Sequence, residues 1–223
     1  MAERLHYRVA VLGGTGAQGS GLALRLAAAG HLVTIGSRGA EKARAAASEL
    51  STRLGKLVAG ADNRRAADTA DIILLTVPYA AERATVEEVR DQLDGKILVD
   101  ATVPLVPPKV SVAQLPGGQS AVAAIQRLLG PAVRVVSAFQ NVSAQHLATL
   151  DHDIDCDVLV CGDDRAACET VLALCEDIRL RGLYAGPIQN SAAVEALTSV
   201  LITINRRYKV TGSGIRITGL PET

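Results

Sequence analysis

Aromatic side chains are scarce in this sequence, and charge of neither sign is in excess. Only 2% of the 223 residues are aromatic and none is tryptophan, so Ala, Val, Leu and Ile must fill the core. The 23 basic and 23 acidic residues balance, which argues against a nucleic-acid partner and against electrostatic attachment to a membrane. No apolar run reaches the roughly 18 residues of a membrane span, and the start MAERLHYRVAVLGG carries no apolar signal segment. We therefore expect a cytoplasmic protein without a membrane partner.

Residues that often carry chemistry are also few. The cysteines at positions 156, 161, 168 and 175 form no C-x-x-C pair and match no zinc spacing, so we interpret them as reduced thiols in the core. The acidic stretch 151–157 lacks the glycine and the closing glutamate of a calcium loop. The four histidines suggest no Ser-His-Asp set. The sequence therefore predicts no metal site and no catalytic side chain.

Strand and helix patterns alternate along the chain. Apolar runs predict strands over residues 7–12, 31–36, 71–77 and 96–101, with helices over 16–29, 40–54 and 80–93 between them. This order is typical of an α/β fold of the Rossmann type, a doubly wound parallel sheet with helices on both faces. Residues 103–118, with four prolines and two glycines, form a predicted loop. Beyond it we expect helices 119–129, 165–178 and 191–206, short strands 133–138 and 158–161, and an extended tail.

The turn after the first strand carries a dinucleotide-binding motif. Gly14, Gly16 and Gly19 have the spacing G-x-G-x-x-G between an apolar strand and a helix. We assign the tight turn to Gly14, the close approach of a pyrophosphate to Gly16, and helix–strand packing to Gly19. The phosphates would sit on the N-terminus of the helix, where unpaired N–H groups and the helix dipole favour anions. Those N–H groups would come from Thr15, Ala17 and Gln18.

The same turn also fits a second spacing, G-x-x-G-x-x-G, if Gly13 is counted. That spacing suggests the short-chain dehydrogenases, which need a Tyr and a Lys four residues apart. No Y-x-x-x-K occurs in the sequence, and Tyr208 and Lys209 are adjacent. This alternative therefore loses most of its support.

The residues after the second strand favour NADP(H) over NAD(H). An NAD site places Asp or Glu there to bind the ribose 2′-hydroxyl, whereas this chain has Ser37 and Arg38. A hydroxyl and a guanidinium can both bind a 2′-phosphate, and Lys42 can add a charge one helical turn further on. At the end of the third strand, Val77 and Pro78 are expected near the adenine or the nicotinamide ribose.

The missing acid–base residues suggest what kind of reaction could follow. A dehydrogenase acting on an alcohol or a carbonyl needs a proton donor or acceptor beside the substrate oxygen. Hydride exchange between two redox cofactors needs only that their rings face each other.

The segments LGGTGAQGSGLALRLAAAGH and IGSRGAEKA are typical of many nucleotide-binding folds, whereas CGDD and the INRRYK ending of the last helix are far more specific. In them the chain resembles the NADPH-dependent reductases of the deazaflavin coenzyme F420 (F420H2:NADP oxidoreductases). The resemblance implies an NADP-binding domain over residues 1–140 and a small C-terminal α/β domain over 141–223 that completes the cleft. It also implies hydride transfer between NADP(H) and F420, and a homodimer whose interface includes the last helix. The residues implied to wall the cleft are Val103, Pro104, the 139–144 segment with Gln140, Val142 and Ala144, and Thr198.

Three positions depart from the family pattern on the deazaflavin side. The chain has Gln140 where the family usually has His, Ala192 where it has Arg, and Ala196 where Ser is frequent. Gln can form hydrogen bonds but carries no charge. Two alternatives therefore stay open beside F420 reduction. One is an NADPH-dependent reductase of another flavin, a quinone or a small carbonyl or imine. The other is an NADP(H) sensor without enzyme activity.

Overall fold

The computed structural model describes residues 5–220 and contains one continuous eight-stranded sheet. The strand order is β3-β2-β1-β4-β5-β6-β7-β8. Neighbouring strands run parallel from β3 through to β6, whereas β7 is antiparallel to β6 and parallel to β8. The strands are β1 (Arg8–Leu12), β2 (Leu32–Ser37), β3 (Ala59–Asp62), β4 (Ile72–Leu75), β5 (Ile97–Asp100), β6 (Arg134–Ser137), β7 (Asp157–Gly162) and β8 (Arg181–Tyr184).

Helices cover both faces of the sheet and divide the core into two layers. Leu22 and Val171 belong to the apolar cluster on one face, and Val86 and Val122 to the cluster on the other. Strands β4 and β5 are buried along their whole length, as expected for the centre of a covered parallel sheet. The helices are α1 (Ala17–Ala28), α2 (Ala40–Leu54), α3 (Asn63–Thr69), α4 (Tyr79–Glu88), α5 (Ala121–Leu129), α6 (Ala144–Leu147), α7 (Arg165–Asp177) and α8 (Ser191–Tyr208).

This architecture confirms the predicted Rossmann-type α/β class and adds elements that the patterns did not indicate. Strand β3 reads AGAD and helix α3 is seven residues long, so neither shows a clear apolar period. Strand β8 is half-exposed. The sheet runs without interruption past residue 140, and the division into domains at that point stays a prediction. No described helix is long and apolar enough to cross a membrane.

The C-terminal tail is extended, but residues 209–220 form no strand in the part of the chain that the structure describes. It lies against the start of β7, where the backbone N–H of Asp157 donates to the carbonyl of Ile215 at 2.7 Å. The Asp157 carboxylate in turn binds Arg181 through two hydrogen bonds of 2.7 Å. These contacts attach the tail to the sheet beside β8.

A buried arginine attaches helix α1 to the segment that follows β6. Arg25 is 3% exposed and has no carboxylate partner among the described residues. Its guanidinium instead donates to backbone carbonyls, which satisfies the buried donors of the side chain. The acceptors are the carbonyls of His146, Leu147, Thr149, His152 and Ile178. The chain beyond residue 140 is thereby held to the same helix whose N-terminus opens the glycine turn.

Candidate functional site

The β1–α1 turn passes so close to the end of β4 that it requires glycine. Gly13 has φ +81°, and a Cβ there would lie 2.9 Å from the carbonyl oxygen of Thr76. In the tight turn, the residue with a positive φ is therefore Gly13 and not Gly14. This corrects the role in the turn that the motif assigned to Gly14. At Gly14 a Cβ would lie 2.8 Å from the carbonyl oxygen of Val11, and at Gly19 2.7 Å from that of Gly13.

Helix α1 begins at this turn with unpaired backbone donors. Gly16 is the N-cap and has no side chain to occupy the helix end. Within residues 5–220, the backbone N–H groups of Thr15, Ala17 and Gln18 have no acceptor, as the first turn of a helix requires. The side chain of Gln18 donates to the carbonyl of Phe139 at 2.8 Å and joins the helix start to the end of β6. The arrangement can bind a phosphate.

A cleft of about 870 Å³ runs along the carboxyl edge of the sheet, beside this turn. It lies where the strand order reverses between β1 and β4, which is the usual ligand position in open α/β sheets. The predicted residues that line it are Gly13, Thr15, Gly16, Ala17, Gln18, Ser37, Arg38, Lys42, Val77, Pro78, Val103, Gln140 and Thr198. The lining residues that sequence reasoning missed include Asn63, Thr76, Tyr79, Thr85, Thr102 and Leu105.

Five of the individually predicted residues do not line the cleft, and one of them, Pro104, is buried after β5. Gly14 and Gly19 are buried beneath the turn, where they allow close packing. Val142 is 5% exposed and belongs to an apolar core cluster. Ala144 is the first residue of α6 and is half-buried. The loop after β6 turns inward at these two positions, so only Gln140 of the three predicted there reaches the cleft.

One end of the cleft is positively charged. Arg38 and Lys42 are exposed, and neither side chain has a hydrogen-bond or ion-pair partner among the described residues. Ser37 ends β2, Arg38 and Lys42 follow it, and α3 brings Asn63 to the same end of the cleft. The Asn63 amide donates to Glu88 at 3.0 Å, which leaves its own carbonyl oxygen without a donor. Free cations and a hydroxyl are suited to a phosphate group.

Away from the cationic end, no charged side chain is among the described residues that line the cleft. Gln140 and Thr198 line it, and the Thr198 hydroxyl donates to the carbonyl of Gln140 at 3.0 Å. Asn141, the next residue, donates to the carbonyl of Val194 at 3.0 Å and to the Thr198 hydroxyl oxygen at 3.1 Å. These bonds hold the end of β6 against helix α8. The cleft is therefore completed by an element from the C-terminal part of the chain.

Three buried carboxyl groups lie next to the cleft, and sequence reasoning missed all of them. Glu82, Asp100 and Glu195 are 3%, 0% and 1% exposed, and no described cation forms an ion pair with any of them. Glu195 of α8 accepts from the Ser120 hydroxyl at 2.6 Å and from the N–H of Ala121 at 2.9 Å. It therefore binds the N-terminus of α5, although burial still raises its pKa.

Glu82 and Asp100 form a pair that shares a proton. Burial is the main cause that raises the pKa of both groups, and their side chains hydrogen-bond each other. Glu82 Oε1 and Asp100 Oδ2 have no other donor among the described residues, so a proton between them satisfies both. The N–H of Thr102, a residue that lines the cleft, donates to Asp100 Oδ1 at 2.8 Å. The chain thus keeps one of two adjacent carboxyl groups neutral.

The cysteines and histidines lie away from this cleft. All four thiols are buried and free, and burial raises the pKa of each, to about 12 for Cys161 and to about 11 for Cys168. His146 and His152 pack against each other beside Gly212, outside the cleft lining. Over residues 5–220, no group of three His, Cys, Asp or Glu side chains is arranged to hold a metal ion.

The fold and the cleft together define the class of the protein. An open, mostly parallel sheet, a glycine-rich turn into a helix and a cleft at the switch point describe a Rossmann-like α/β protein.

Comparison with known proteins identifies the family within this class. The family model described as NADP oxidoreductase, coenzyme F420-dependent, matches residues 8–104. The F420-dependent NADP reductase of Methanothermobacter thermautotrophicus is 44% identical, over 100% of this chain and 99% of its own length. That of Methanocaldococcus jannaschii is 40% identical, over 96% and 99%. A crystal structure of a proposed F420-dependent NADP reductase from Arthrobacter sp. FB24 has a TM-score of 0.81 at 28% identity, covering 95% of this chain and 99% of that one. The chain therefore belongs to the F420-dependent NADP reductase family, as its sequence segments predicted.

The shared proton should make stability depend on pH. Burial raises the pKa of Glu82 from 4.5 to about 9. Between these values the folded protein holds a proton that the unfolded chain has released, so the free energy of unfolding falls as pH rises. We expect Glu82→Gln, which is neutral at every pH, to have little effect at pH 5 and to stabilise the protein by about 2–4 kcal/mol at pH 8.

Urea unfolding at pH 5, 6.5 and 8 measures this dependence. The matched control is Glu87→Gln on the same helix, where the side chain is exposed and paired with Arg83. Parallel pH profiles for Glu82→Gln and the unaltered protein would show that Glu82 does not carry the proton.

Proposed function

We propose that this protein transfers a hydride between NADP(H) and the deazaflavin coenzyme F420. The observation that carries the proposal is the character of the cleft. It joins a phosphate-binding turn and a cationic end to a neutral centre, and no Asp, Glu, His or Cys is among the described residues that line it. A site without such groups suits direct transfer between two rings, which needs positioning and no acid or base at the reacting carbon. Family membership supports both coenzymes.

The residues present fit NADP(H) at one end of the cleft. At Gly16 a Cβ would meet only the carbonyl oxygen of Gly13, at 3.3 Å, so the space beside the turn is open, and the N–H groups of Thr15, Ala17 and Gln18 have no acceptor among the described residues. These groups would hold the pyrophosphate. Ser37, Arg38 and Lys42 would hold the 2′-phosphate. Val77 and Pro78, which line the cleft beyond β4, would pack against the ribose and the nicotinamide.

The other half of the cleft would hold the deazaflavin. Val103 follows β5, Gln140 follows β6 and Thr198 lies on α8, so three separate elements enclose this space. Bound NADPH supplies the hydride, and reduction of the deazaflavin also takes up one proton from solution. The part of the protein is to hold the two rings in contact and to exclude water. The loop 103–118, with Leu105, Pro107 and Val110 in the lining, covers one side.

The test of the proposed function is a spectroscopic assay with purified protein. Mixing with NADPH and oxidised F420 should remove the visible absorbance of the oxidised deazaflavin, while NADH in place of NADPH should give a much lower rate. Turnover of free flavin, a quinone or an imine, without turnover of F420, would instead assign the cleft to a different second substrate. Tight binding of NADPH without turnover of any of these would contradict an enzyme and favour a sensor.

The cationic end should determine the choice between the two nicotinamide coenzymes. We expect Arg38→Ser to raise the Kd of NADPH about 10- to 100-fold, the effect of losing a charged hydrogen bond worth about 1.5–3 kcal/mol. The Kd of NADH should change less than about threefold, because NADH has no 2′-phosphate. Fluorescence titration measures both constants. The control is Arg44→Ser on α2, the helix that follows Arg38, where the side chain pairs with Glu41 and does not line the cleft. Equal affinity of the unaltered protein for NADPH and NADH would contradict this assignment.

We propose further that the protein is a homodimer in which α8 contributes to the interface. Val200 on α8 is 48% exposed, and Tyr208 and Val210 at its end are 71% and 46% exposed. Exposed apolar side chains along and after a helix favour burial against a partner. Light scattering after gel filtration should give twice the mass of one chain. Val200→Lys should shift the protein toward monomers, whereas Leu57→Lys, which alters an exposed leucine after α2, should not. A monomeric unaltered protein would contradict the proposal.

We also place the protein in the cytoplasm. Its four thiols are free, which suits a reducing compartment, and NADPH is a cytoplasmic reductant. Cell fractionation followed by detection of the protein would test this location.

A further inference from the structure

The pair of buried carboxyl groups, Glu82 and Asp100, lies directly behind the wall of the cleft. Glu82 is placed between two lining residues of α4, since Tyr79 is three residues before it and Thr85 three residues after it. Residues three apart on a helix are neighbours on one face, with about 5–6 Å between their Cβ atoms. Asp100 ends β5, and the next three residues of the chain all line the cleft. The two carboxyl groups are therefore close to the cleft, although neither lines it.

The negative charge of this pair reaches the cleft. Burial raises the pKa of the lining residue Tyr79, and the negative charges of Glu82 and Glu195 raise it further. The N–H of Thr102, another lining residue, donates to Asp100 Oδ1 at 2.8 Å. No described cation forms an ion pair with Glu82 or Asp100. Because charges inside a protein are screened much less than exposed ones, a ligand in the cleft is exposed to the field of the pair.

The charge of the pair can change when the shared proton is lost. While the proton is held between Glu82 and Asp100, the pair carries one negative charge, and burial raises the pKa of Glu82 to about 9. Loss of the proton leaves two adjacent negative charges. The other titratable groups that face the pair are Glu195 of α8 and Tyr79 of α4. Glu195 is bound by the N-terminus of α5 and does not share the proton.

The coenzyme proposed for this cleft exists in two forms that also differ by one charge. The nicotinamide ring is neutral in NADPH and positively charged in NADP+, and the rest of the molecule is the same. Val77 and Pro78, beside which the ring is proposed to lie, directly precede α4, the helix that carries Glu82. A positive ring there favours loss of the shared proton, and loss of the proton favours the positive ring to the same extent, because coupling between two sites is reciprocal.

We propose that Glu82 and Asp100 together set the relative affinity of the protein for NADP+ and NADPH, by releasing their shared proton to solvent when the positively charged ring is bound. The proposal rests on the proposed function for its coenzyme, and it does not depend on the second substrate. The pair forms no bond to the coenzyme and exchanges no electrons with it. At a separation of about 10 Å and an effective dielectric constant of about 20, one charge changes the binding of another about tenfold.

Calorimetry in two buffers of different ionisation enthalpy counts the protons released when a coenzyme binds, and it needs no turnover. At pH 8 we expect NADP+ to release about 0.3–0.5 proton more than NADPH. The 2′-phosphate is common to both coenzymes, so the difference between them excludes its titration. The same titrations give the dissociation constants. From pH 6.5 to pH 9.5, the affinity for NADP+ relative to NADPH should rise about five- to tenfold.

Variants test whether the pair is the source of the proton. Glu82→Gln cannot gain the second charge, so NADP+ and NADPH should release equal numbers of protons from it, and their relative affinity should not depend on pH. Asp100→Asn is a second variant with the same expected result. The matched control is Glu87→Gln, on the same helix, where the side chain is exposed and paired with Arg83. It should keep the difference in protons. Circular dichroism confirms that each variant is folded, and if neither Glu82→Gln nor Asp100→Asn folds, the proton counts of the unaltered protein decide.

Two outcomes would overturn the proposal. One is an unaltered protein that releases equal numbers of protons with NADP+ and NADPH at pH 8. The other is a folded Glu82→Gln variant that keeps the difference, because another group would then be its source. A merely structural role of the pair would weaken both coenzymes together and leave the proton difference in place. Failure of the proposed function is a separate result, since absence of turnover with F420 does not alter the proton counts. A protein that binds neither NADP+ nor NADPH would overturn the proposed function and this proposal with it.

Discussion

The close approach of the β1–α1 turn to the end of β4 is the constraint on which the rest of the site depends. Thr76 donates to the carbonyl of Leu12 through its backbone N–H at 2.9 Å and its hydroxyl at 2.8 Å. This contact leaves no room for a side chain at Gly19, which lies directly over it. Helix α1 can therefore begin at the sheet edge with its free N–H groups at the cleft. Any side chain there would move the phosphate-binding groups away from the strand ends that carry the other lining residues.

The electrostatic character of the cleft changes along its length because different strands supply its parts. The loop after β2 brings unpaired cations to one end, while the ends of β5 and β6 bring neutral polar groups to the centre. Beside that centre, Glu82 and Asp100 would place two negative charges next to the lining residue Thr102 if both were ionised. Their shared proton halves this charge. An anionic coenzyme and a hydride in transfer both benefit from a centre that is less negative. The same buried pair lowers the free energy of unfolding at high pH.

The parts of the site that could be predicted from the sequence are those formed by contiguous residues. The glycine turn and the Ser37–Arg38 pair are contiguous, so their positions at one sheet edge follow from strand order alone. Asn63 and Thr76 reach the cleft from elements far along the chain, and α3 in particular is too short to show a helical period. The antiparallel strand β7 has no local signal either, since its direction is determined by pairing with β6. Buried carboxyl groups cannot be recognised from a sequence either, because burial is a property of the packed fold.

Gln140 shows why a residue type alone does not define a contact. In the sequence it is a departure from the family, able in principle to donate or to accept. The fold removes half of that capacity, since Asp100 and Ser137 take both N–H bonds and leave only the oxygen. The supporting bonds come from β5 and β6, the two strands that also form the floor of the cleft. The departure from the family at this position is therefore supported by the sheet, which holds the side-chain amide in one orientation.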